Sequence, residues 1–68
     1  MSPQECFRTW CAELEYAPTQ DALALWASRR RSSVPRHVLV FEVDTIARAC
    51  FPGYADDILG ALEACKII

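Results

Sequence analysis

Four cysteines, one histidine and an adjacent pair of aspartates are the side chains of this 68-residue sequence with the shortest route to catalysis or metal binding. Cys6 and Cys11 are five residues apart, about 500° along a helix, so their thiols point about 140° from one another and do not share a bridge or a metal within one helix. Cys50 and Cys65 stand in no CxxC pair, and no clustered His accompanies the cysteines. The cysteines therefore read as reduced, small apolar residues. Catalysis requires a nucleophile or proton carrier held by a second group, and no motif around His37 supplies one. Asp56 and Asp57 point about 100° apart on a helix, which suits a helix start better than an acid–base pair. Gly53 and Gly60 are the only glycines, too few for a phosphate-cradling loop. The sequence is read as a non-enzyme that needs no cofactor and no metal.

The remaining chemistry is anion recognition. Arg29, Arg30, Arg31, Arg36 and His37 form a basic segment in a chain whose seven Lys and Arg face nine Asp and Glu, a net charge of −2. That balance disfavours wrapping nucleic acid by bulk electrostatics, while leaving a local patch suited to an acidic protein surface. The alternative is a small DNA-binding regulator that uses segment 29–37. A helix-turn-helix, however, presents polar or basic side chains to the major groove, whereas the segment after His37 is dominated by Val, Leu and Phe.

The elements that position these residues follow from caps and periodicity. Ser2-Pro3-Gln4-Glu5 has the form of a capping box with proline at the first helical position, opening a helix to about Tyr16. Its apolar side is Phe7, Trp10, Cys11 and Leu14, and Pro18 interrupts it. Thr19 caps a second helix that fades by Arg31, where the arginines oppose the negative end of the helix dipole. From Val34 to Phe51 the row Leu39, Val43, Ile46 and Cys50 has helical spacing, with Val40 and Phe41 outside it. The β-branched and aromatic run 37–43 also fits a short strand, for which this chain offers no partner; the competing architecture is α+β, with that strand pairing across a dimer. Pro52-Gly53 ends the third helix, and Asp56 and Asp57 open a fourth. Gly60, Ala61 and Ala64 leave one side of it bare enough for another helix to approach closely, and Ile67 and Ile68 follow as exposed apolar groups unless something covers them.

The expected fold is all-α, a single domain over 1–68 made of a compact array of three or four short helices. No apolar run of membrane-spanning length and no signal-peptide pattern is visible, so a cytoplasmic location is expected and a membrane partner is not. Hydrophobic residues make up 53% of the chain, more than so small an interior holds comfortably. The surplus points to a protein-interaction module, an inhibitor, adaptor or regulatory subunit, that binds another protein stoichiometrically or forms a homo-oligomer. The expected contact residues are Arg29, Arg30, Arg31, Arg36, Val40, Phe41, Ile67 and Ile68, the arginines steering encounter and the apolar groups anchoring it.

Overall fold

In the computed structural model, which describes all residues from Met1 to Ile68, the chain forms four helices and no strand: α1 (Pro3–Glu13), α2 (Gln20–Arg30), α3 (Arg36–Cys50) and α4 (Ala55–Ala64). The first three starts have a local cause. Ser2 caps α1, its hydroxyl accepting from the Glu5 N–H at 3.4 Å and donating to the Glu5 carboxylate at 3.0 Å, with Pro3 at the first position. Thr19 accepts from the Ala22 N–H at 3.3 Å to open α2. α3 begins after Pro35, whose ring fixes φ near −61° and which offers no side-chain cap.

α1 is shorter than its apolar spacing predicts. It stops at Glu13 because the chain turns through a left-handed residue, Glu15 at φ 58°, with the Glu15 N–H donating to Ala12 O and the Tyr16 N–H to Cys11 O at 2.8 Å. This pair of bonds is the Schellman arrangement, built here without the usual glycine. Leu14 thereby leaves the apolar row and stands 42% exposed.

The strand alternative for 37–43 is overturned: these residues lie inside α3. Their β-branched character is overridden because Leu39, Val43, Ile46 and Ala47 share one face and bury it completely or nearly so. α3 is the central element, touching α1 most extensively and also α2 and α4. Into the same core α1 sends Phe7 and Cys11, α2 sends Leu23, Trp26 and Ala27, and α4 sends Ile58 and Leu62. Phe7 meets Trp26 edge to face with centroids 6.2 Å apart, an arrangement worth about 0.5–1.5 kcal/mol beyond area burial.

Only 14 residues are buried, all of them hydrophobic, so the interior contains no charge that needs a buried partner. The radius of gyration of 10.8 Å is close to the roughly 11 Å expected of a folded chain of this length, so the helices close on one another in a single copy. No helix is long and apolar enough to cross a membrane.

Candidate functional site

The residues with catalytic potential are not brought together. His37 is exposed at the start of α3 and shares an open cleft with Arg36, Val40 and Glu63. No group of three or more His, Cys, Asp or Glu side chains is placed to share a metal. All four cysteines are free; burial, and secondarily the nearby Cys50, pushes the Cys11 thiol up, away from the thiolate that nucleophilic chemistry requires. Asp56 accepts a hydrogen bond from Arg48 at 3.2 Å, while Asp57 makes no ion pair, so the two aspartates act separately at the start of α4.

The arginines fan out around the end of α2 rather than forming one patch. Arg30 lies over the Trp26 ring at 6.0 Å and grips Glu42 of α3 through two hydrogen bonds of 2.9 Å. The Glu42 side chain is only 15% exposed and that of Arg30 40% exposed, so this is a half-buried tie between α2 and α3. The hydrogen bonds that Arg30 donates to Glu42 raise the guanidinium above its already high pKa and keep it charged. Arg31 donates to the Lys66 carbonyl at 3.1 Å, and Arg36 donates to a backbone oxygen of Ile68 at 3.2 Å. Each uses one of five guanidinium N–H donors in these bonds, and both residues remain exposed.

These two bonds hold a segment that the sequence places outside. α4 ends in a second left-handed turn at Lys66, φ 59°, with the Ile67 N–H donating to Leu62 O at 2.9 Å. The turn sends the chain back along the molecule, where Ile68 joins the core at 8% exposure and Ile67 packs half-buried against it. Ile68 is therefore not an exposed partner anchor, and Ile67 is only partly available. Packing Ile68 into the core, with Ile67 against it, removes apolar area that would otherwise face water.

Phe41 is where the sequence puts it. It stands 66% exposed on the outer side of α3, opposite Leu39, Val43 and Ile46, with half-buried Val40 beside it in the cleft of Arg36, His37 and Glu63. Nothing in the chain lies within 4 Å of a Cβ built at Gly60, so the bare side of α4 has no helix against it.

A second apolar surface is absent from the sequence expectations. Trp10 of α1 meets Tyr16 edge to face at 5.8 Å, Arg29 lies over the Trp10 ring at 5.9 Å, and Tyr16 is 44% exposed. Tyr16 also walls a hollow of about 240 Å³ with Ala17, Thr19, Asp21, Ala22 and Leu25. Two features carry this surface: the left-handed turn at Glu15, which brings Tyr16 back toward Trp10 before Pro18, and the row Asp21, Leu25, Arg29 at intervals of four.

No protein family, curated protein or solved structure matches the chain.

Proposed function

We propose that this chain is a small protein-interaction module, of the inhibitor, adaptor or regulatory-subunit kind, which acts in the cytoplasm by stoichiometric binding and without chemistry of its own. The observation that carries the reading is Phe41, a large aromatic side chain left 66% exposed at the middle of a helix whose other face supplies the core. Exposing it to water forgoes about 1.5–3 kcal/mol that burial would supply, a cost recovered when a partner covers it. Val40 and the adjoining cleft give the anchor a wall, and the free donors of Arg36 and Arg31 favour a partner with an acidic surface. The outer side of α3 is less suited to a DNA groove, since Phe41 stands at its middle and Arg48 is already paired with Asp44 at 3.0 Å and Asp56 at 3.2 Å.

The test is capture from source lysate on immobilised protein, with nuclease treatment and with Phe41→Ala beside the wild type. The expected result is one protein retained in stoichiometric amount, surviving nuclease and lost with Phe41→Ala while circular dichroism is unchanged. Recovery of nucleic acid instead, indifferent to Phe41→Ala and sensitive to salt, would replace this reading with the DNA-binding one.

A further inference from the structure

The outer row of α2 is complementary to itself. Asp21, Leu25 and Arg29 are all exposed and are spaced by four residues, so they lie about 6 Å apart along one side of the helix. Neither charged end of the row has a partner of opposite charge within the chain: Asp21 and Arg29 form no ion pair, and Arg29 lies over the Trp10 ring at 5.9 Å. The centre of the row is apolar, with Leu25 37% exposed at the rim of the hollow it shares with Tyr16. A negative, an apolar and a positive residue at equal spacing become a matched set when the helix is laid against a copy of itself running the opposite way. Leu25 then meets Leu25, Asp21 meets Arg29 of the second copy, and Arg29 meets its Asp21.

From this pattern we infer that α2 is a homodimer interface, in which two copies of the chain pair α2 against α2 antiparallel about a twofold axis at Leu25. Such an isologous contact uses the same patch on both copies and closes after two, so it makes a dimer and not a fibre. Ser28, exposed beside the row, adds little bulk, so the two helix axes can pack at about 8–10 Å. Tyr16 walls the hollow beside Leu25 and Trp10 lies under Arg29, and aromatic and arginine side chains of this kind are favoured at interfaces. A parallel pairing would set Asp21 on Asp21 and Arg29 on Arg29, so the charges select the antiparallel one. The contact is small, and the dimer is expected to dissociate on the order of tens of micromolar.

The pairing extends the interaction reading but rests on a different face from Phe41, and the two can fail separately. Sedimentation equilibrium from micromolar to millimolar concentration is the measurement, with circular dichroism as the check that each variant folds. The wild type should dimerise, Leu25→Asp should weaken the dimer on the order of a hundredfold, and Phe41→Ala should leave it unchanged. Asp21→Arg and Arg29→Asp alone each set like charges across the twofold and should each weaken pairing roughly tenfold. Mixed in equal amounts, those two single variants place a basic row against an acidic one and should form a heterodimer at least as tight as the wild type. A wild type monomeric throughout the range would overturn the inference, as would a dimer indifferent to Leu25→Asp or single variants that do not pair when mixed. A monomer that still captures a protein through Phe41 would overturn the self-pairing and leave the interaction module standing.

Discussion

Arg29 and Arg30 are consecutive on α2, and each lies at cation–π distance over an indole, 5.9 Å from Trp10 and 6.0 Å from Trp26. Their surroundings nonetheless differ. Trp26 is buried at 8% exposure, and Arg30 above it is tied to Glu42, so that side of the molecule is finished within the chain. Arg31 and Arg36 are tied only in part: each holds the returning segment at Lys66 or Ile68 through one bond and stays exposed. Trp10 is only half-buried, and Arg29 above it has no ion pair, so the corner of α1 and α2 remains open. A 100° step around one helix separates a structural arginine from one available for recognition. The contrast teaches that an arginine run is not one patch: its members are sorted by what the neighbouring helices present to each direction.

The largest effect should come from the closed side. Ile68→Asp removes a core side chain and puts a carboxylate among Leu39 and Ile67, and is expected to cost about 2 kcal/mol in urea unfolding. A loss under about 0.5 kcal/mol, the scale of ordinary surface changes, would show that the returning segment is not part of the core. Arg30→Ala comes next. It strands the mostly covered Glu42 carboxylate, and the expected cost is about 1 kcal/mol, moderated because the outer part of the pair is reached by water.

Two smaller effects sharpen the contrast. Lys66→Gly retains the backbone carbonyl that Arg31 grips but relieves a side chain held at φ 59°, so thermal unfolding should show a gain of about 0.5–1 kcal/mol. A loss would mean that the Lys66 side chain itself supports the turn. Arg29→Ala should change stability by less than about 0.5 kcal/mol, the smallest effect of the series. A cost as large as that of Arg30→Ala would erase the distinction between the two sides.

Much of the fold is legible in local residue chemistry. Ser2 and Thr19 mark the first two helix starts, Pro52-Gly53 separates the last two helices, and the Leu39–Val43–Ile46 row identifies the buried side of α3 even though its β-branched residues also suit a strand. Phe41 is legible for the same reason in reverse, since a residue outside a helix's apolar row faces water. The α1–α2 corner is harder to find because its members come from two helices and a turn, with Trp10 placed on the core row of a helix that ends sooner than its spacing implies.

What the sequence by itself determined is therefore set within one or two turns of chain: an array of three or four helices, the side-chain caps of the first two and the inner side of α3. Only the tertiary structure decided which arginine finds Glu42, that Lys66 turns the chain back so that Ile68 is covered, and that Tyr16 folds over Trp10 to leave an open apolar corner. The physical reason is range. Caps and apolar spacing act between residues three or four apart, whereas Arg30 and Glu42 are separated by 12 residues and Arg31 and Lys66 by 35, and their meeting depends on how completed helices pack.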